Sequence, residues 1–134
     1  MKPLFPSLVA AALVLGACGS TPDPWMAEQS HAAAATAGVR TLLRSHWGID
    51  EACAPLPLPA IAIPEQNSIG TLTVEETVVS VPETGSDCDG QSVTAIGIFY
   101  EAPAGTDAVD TVNYVEMIEP PLPDNRHTVH VRVR

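Results

Sequence analysis

Hydrophobic and polar positions divide the chain into three textures. The first is an apolar run, "LFPSLVAAALVLGA", that follows the lone cation Lys2. A membrane-spanning helix needs about 20 consecutive apolar residues, whereas this run is broken by Pro6 and Ser7 and gives way to "GSTPDPW". One positive charge, an apolar core and small residues at its end make it a secretion signal over residues 1–17. A polar tether spans residues 18–24. The second texture, "WMAEQSHAAAATAGVRTLLRSHW", is rich in Ala and other helix formers and closes on Gly48. Val39, Leu42, Leu43 and Trp47 recur at i, i+3, i+4 and i+8, so the pattern predicts a helix over residues 25–47, with a break near Gly38.

The third texture, residues 48–134, reads as strands. Four prolines in "APLPLPAIAIPEQNSIG" exclude helix and favour an extended edge segment. "GTLTVEETVVSV" alternates at Leu72 and Val74 and then slips phase near Glu75 and Glu76, which predicts a bulge or turn. "SVTAIGIFY" is apolar on both faces, as a central strand is. "DTVNYVEMIE" and "HTVHVRVR" follow, joined through "PPLPDN". In the last strand Val129, Val131 and Val133 point one way, while Thr128, His130, Arg132 and Arg134 point the other. Short strands separated by turn signals and Pro-rich connections predict a mainly β fold, a small sandwich of Greek-key type behind an Ala-rich helix.

The chain has 134 residues, 16 acidic against 6 basic, and a net charge of −10. That length holds one domain with a real core rather than two. Loss of the signal with Lys2 would make the remainder one unit more acidic. Counterion release on nucleic acid needs clustered cations, so nucleic acid is excluded as a partner. Anionic lipid head groups would repel the protein, so membrane attachment would have to be covalent.

The signal ends in Leu15-Gly16-Ala17-Cys18, which resembles the lipobox of bacterial lipoproteins. The resemblance implies a diacylglyceryl group on the Cys18 sulfur, cleavage before Cys18 and acylation of the new amino terminus. One acyl chain holds a protein only marginally, at about 0.8 kcal/mol per buried methylene, so two or three make a stable anchor. Gly19 stands where the family's inner-membrane retention signal has Asp. This implies the outer membrane of a Gram-negative cell, on its periplasmic face. With Cys18 assigned to lipid, Cys53 and Cys88 remain as a pair in an oxidising compartment, where a disulfide is the default and a free structural pair the alternative.

"YEAPAGTDAVDTVNYVEMI" followed by "HTVHVRVR" resembles the closing half of bacterial cadherin-like and immunoglobulin-like modules. Tyr100 and Pro103 match their Tyr-x-Pro, Gly105 their first glycine, Asp110 the acid, Val112 the aromatic position and Tyr114 the tyrosine. "IGTLTV" is similar to an early strand of such modules, whereas Thr106 and Ala108 depart from their Phe and second Gly. At the start of a strand, the Asp110 carboxylate is placed to accept nearby backbone N–H groups and close the turn. Tyr114, on the same face, is placed to bury its ring and reach backbone with its hydroxyl, as in a tyrosine corner.

Candidate chemistry is sparse. Asp87, Asp89, Asp107 and Asp110 could offer oxygen ligands to calcium, which cadherin-like modules bind at their junctions, but no EF-hand spacing occurs and they read as solvated loop carboxylates. His127 and His130 are three apart, so on a strand they face opposite ways, cannot share a metal and read as surface or edge histidines. No nucleophile elbow occurs, Ser80 and Ser92 lie inside strands, and the adjacent Glu75 and Glu76 point apart. Arg132 and Arg134 read as guards on the outer face of an edge strand. The expectation is a lipid-anchored envelope protein whose non-catalytic module binds another envelope protein or a glycan, or is structural, and needs no cofactor. The alternative is a small periplasmic enzyme or enzyme inhibitor acting through its loops.

Overall fold

The computed structural model describes residues 26–134. The signal, the lipobox and Cys18 lie outside them. Seven strands follow one another as β1 (Met26–Ala35), β2 (Thr41–His46), β3 (Ala60–Ala62), β4 (Thr71–Ser80), β5 (Ser92–Glu101), β6 (Ala108–Met117) and β7 (Asp124–Val133). They form two sheets, ordered β1-β7-β6-β3 and β2-β5-β4. Neighbours are antiparallel except for β1, which runs parallel to β7 with Met26 opposite Asp124 and Ala35 opposite Val133. The fold is mainly β and sandwich-like.

The helix expected over residues 25–47 is not present: among the described residues this segment is β1, a turn and β2. Alanine favours helix by only a few tenths of a kcal/mol over most residues, and a full ladder along β7 outweighs it. Small side chains suit the place, since Ala33 and Ala35 pack against the main core. The break near Gly38 is a crossing between sheets. Gly38 takes φ 75°, its N–H donates to the Ala102 carbonyl, and the Ala37 N–H donates to the Arg134 carbonyl. Val39 and Leu42, which the helical stripe would have buried, are exposed. The sandwich therefore begins at β1 rather than at residue 48.

Two further expectations change. The phase slip in β4 is not a bulge, because β4 pairs with β5 without interruption from Thr71 to Ser80. The slip instead marks a change in which face is covered. Leu72 belongs to the main core with Ile98 and Tyr100, whereas Val79 and Val81 belong to a second cluster with Val93, Trp47 and the Cys53–Cys88 link. β5 is thus apolar on both faces because both are covered. The register shift of this sheet lies in β2, between Leu42 and Arg44. Nor is the last strand an edge: β7 lies between β1 and β6, and Arg132 pairs with Asp107 at 2.6 Å.

The Pro-rich segment does form an edge, and its prolines explain its brevity. β3 pairs with β6 over three residues, Ala60–Ala62 opposite Met117 to Val115. Beyond Pro64 side chains continue the ladder along β6. The Gln66 amide donates to the Asn113 carbonyl at 3.0 Å and accepts the Asn113 N–H at 2.8 Å. Asp110 then takes the N–H groups of Ile69 and Gly70 at 3.0 and 2.8 Å.

Cys53 and Cys88 form the disulfide, with a Cα–Cα distance of 5.5 Å. The Asp50 carboxylate accepts the N–H groups of Ala52 and Ala54 and holds the turn that carries Cys53.

Candidate functional site

At the end of the sandwich where β1 and β7 begin and β2 and β6 finish, the inter-sheet space turns from aliphatic to polar. Alternation dictates the change. On β7 the parity of Val129, Val131 and Val133 carries His127 inward, and on β6 the parity of Val112 and Tyr114 carries Glu116 inward. His31 comes from β1 and His46 from the end of β2. His127 and His46 are buried, and Tyr114 is fully so.

Glu116 is the hub. Its Oε1 lies 3.0 Å from His127 Nε2 and 3.1 Å from Asn125 Nδ2, and its Oε2 lies 3.2 Å from His46 Nδ1. Each imidazole uses its second nitrogen as well. His46 Nε2 is 2.7 Å from the Tyr114 hydroxyl, and His127 Nδ1 is 2.9 Å from His31 Nε2. The rings of His31, His127 and Tyr114 stack in sequence, with centroid spacings of 5.2 and 4.6 Å.

Burial pushes the Glu116 carboxyl up, but hydrogen bonds from His127 and Asn125 and the nearby imidazoles outweigh it and hold it below the ordinary range. Burial lowers His46 against the opposing pull of Glu116, and His127, Arg44 and His31 add to the lowering. Burial also lowers His31, helped by Arg44 and His127. The Tyr114 hydroxyl is pushed by burial up to about 12, against the opposing effect of Arg44. Arg44 Nε is itself buried without a hydrogen-bond partner among the described residues.

The hydrogen-bond geometry is met by one set of tautomers. An ionised carboxylate only accepts, so His46 donates from Nδ1 and His127 from Nε2 to Glu116. In the singly protonated rings the remaining nitrogens accept. Tyr114 donates to His46 Nε2, and His31 donates from Nε2 to His127 Nδ1. Every member of the chain from His31 to Tyr114 is satisfied by one arrangement.

The cluster adjoins solvent through Glu116, which shares the wall of a groove of about 700 Å³ with Trp47, Leu56, Pro57, Met117 and Ile118. The groove is otherwise mostly apolar.

The residues singled out from the sequence are placed as follows. Asp110 is buried and accepts Tyr100 Oη–H at 2.7 Å in addition to the two backbone N–H groups of residues 69 and 70 and that of Thr111. The partners are thus mainly from a segment forty residues away, not from its own turn. Tyr114 buries its ring, but its hydroxyl reaches His46 rather than backbone. His127 is in the core and not on the surface, while His130 is exposed beside Thr111. The four aspartates do not converge: Asp89 caps the turn at Gly85 and Ser86, Asp107 pairs with Arg132, Asp87 is exposed and Asp110 is buried. Glu75 pairs with Arg40, whose guanidinium covers the Phe99 ring. The His46–Glu116–His127 cluster was missed because its members are far apart in sequence. One signal was available, since His127 shares the parity of three core valines.

Comparison with known protein families, with curated proteins and with solved structures finds no match to this chain.

Proposed function

We infer that this protein is a lipoprotein of a bacterial envelope, anchored through Cys18 to the outer membrane on its periplasmic face, and that its sandwich is a non-catalytic immunoglobulin-like binding module. One observation carries the reading of the module: the strand order. The sheets β1-β7-β6-β3 and β2-β5-β4 keep the third, sixth and seventh strands together and the second, fifth and fourth together, as immunoglobulin-type Greek keys do, with the first strand parallel to the last instead of beside the second, and this grouping supports the reading. The lipobox Leu15-Gly16-Ala17-Cys18 supports the anchor. The Cys53–Cys88 link fits an oxidising compartment. An envelope protein or glycan is the partner class.

The test is metabolic labelling with a radioactive fatty acid followed by envelope fractionation. The native protein is expected to take the label and sediment with outer membrane, and Cys18→Ser to do neither. Recovery of unlabelled, soluble protein from both would overturn the anchor. For the module, a partner that copurifies in detergent is expected to be lost on Leu56→Asp in the groove and kept on Val78→Lys on β4.

A second reading, a small enzyme, is favoured by Glu116, an ionised carboxylate hydrogen-bonded to His46 in the wall of a groove. Glycan or peptide turnover abolished by Glu116→Gln would establish it in place of the binding module.

A further inference from the structure

We propose that His46, Glu116 and His127 form a binding site for a divalent first-row transition metal ion of the zinc class. Two imidazole nitrogens and a carboxylate make up the donor set of open zinc sites, with a fourth position left for water or a ligand. Nitrogen donors select against calcium and magnesium, which take oxygen.

The donor atoms already converge. One ligand atom from each residue lies within 4.8 Å of the other two. Zinc–nitrogen and zinc–oxygen bonds of about 2.0–2.1 Å place tetrahedral donors about 3.4 Å apart, and each imidazole is already near that distance from one carboxylate oxygen, His127 Nε2 at 3.0 Å from Glu116 Oε1 and His46 Nδ1 at 3.2 Å from Oε2. Drawing the three donor atoms in from within 4.8 Å of one another to that spacing completes the protein's share of the site.

The surroundings are those a metal site needs. Metal-bound imidazoles are oriented by a partner on the ring nitrogen that faces away from the metal. Here Tyr114 holds His46 Nε2 and His31 holds His127 Nδ1, leaving His46 Nδ1 and His127 Nε2 turned to Glu116. Binding would take the place of the two hydrogen bonds to Glu116. His46 would then carry its proton on Nε2 and donate a hydrogen bond to the Tyr114 oxygen, whose own O–H turns away, and His127 would carry its proton on Nδ1 and donate to His31 Nε2, the His31 proton moving to Nδ1. Each ring keeps the same number of protons through this exchange. Glu116 lines the groove, which provides the approach for the ion and the open coordination position.

A satisfied buried network could also be purely structural, and metal-dependent readouts separate the two roles. The untagged full-length protein, purified in detergent and freed of metal with a chelator, is titrated with Co²⁺ and Zn²⁺. The site predicts one ion per chain, visible Co²⁺ absorption bands of a four- or five-coordinate centre, their displacement by Zn²⁺, and a rise in Tm with Zn²⁺. Glu116→Gln and His46→Asn are expected to weaken binding by at least about tenfold, Tyr114→Phe by about tenfold, and the exposed His130→Asn not at all. Absence of the Co²⁺ bands from the folded native protein would overturn the proposal whatever the variants do. So would loss of binding in His130→Asn with retention in Glu116→Gln.

Discussion

The Tyr100 hydroxyl donates to Asp110 Oδ2 across 2.7 Å, and the same carboxylate accepts the Gly70 N–H at 2.8 Å. One buried charge thereby joins both sheets to the segment that leads into β4. Burial works to raise the Asp110 carboxyl, yet the N–H groups of Gly70 and Ile69, the Tyr100 hydroxyl and the Thr111 N–H outweigh it and hold it below its ordinary value. A carboxyl depressed by folding contributes stability that is present above its unfolded pKa, near 4, and lost as pH falls through its folded value. Acid unfolding of the native protein should therefore include this loss below about pH 4. Asp110→Asn should cost about 2–4 kcal/mol at neutral pH and flatten the acid limb, and denaturant melts across pH check both.

Gly70 is as constrained as its partner. A β-carbon there would overlap the buried Tyr100 ring. Gly70→Ala is expected to cost about 3 kcal/mol, at the upper end of overpacking, and to shift Tyr100 in the near-ultraviolet circular dichroism spectrum. Gly85→Ala meets no neighbouring atom but sits at φ 87°, so its smaller loss of about 1 kcal/mol comes from backbone strain alone.

The Cys53–Cys88 link holds a second core cluster of Val81, Val93, Trp47 and Ile49 against β4 and β5. Closing a loop with a sequence separation of 35 should contribute roughly 3–4 kcal/mol. Reduction should lower Tm, and Trp47 fluorescence should report solvent entry at this cluster before the main core melts.

The outer part of β4 tolerates charge. Val78 is 67% exposed on an edge strand, so Val78→Lys should change stability by no more than about 0.5 kcal/mol and improve solubility. Ile98, fully buried in β5, should lose about 2–5 kcal/mol on Ile98→Ala. Both residues share one face of the sheet, since Val74 pairs with Ile98 and Val78 with Thr94, so equal effects would mean that the burial assigned along that face is wrong.

Much of the fold was legible because alternation and punctuation are local signals. Val129, Val131 and Val133 marked the core face of β7, the double-sided apolar stretch marked β5 as central, and the prolines marked the β3 edge. Residues 26–46 were not legible. Their alanines carry a helical preference, and what makes them strands is long-range pairing, β1 with β7 almost a hundred residues away and β2 with β5. The polar cluster was hidden for the same reason. Its four contributing strands meet only after the sheets pair, although the parity of His127 with the valines already directed that ring inward.

Long-range ¹H–¹⁵N spectra of the metal-free, ¹⁵N-labelled protein test the inter-sheet network most directly, because they identify which nitrogen of each imidazole carries the proton. The network requires His46 to be protonated at Nδ1 and His127 at Nε2, both donating to Glu116, with His31 protonated at Nε2. Protonation of His46 at Nε2 alone, or a spectrum in which His127 exchanges freely between tautomers, would contradict it.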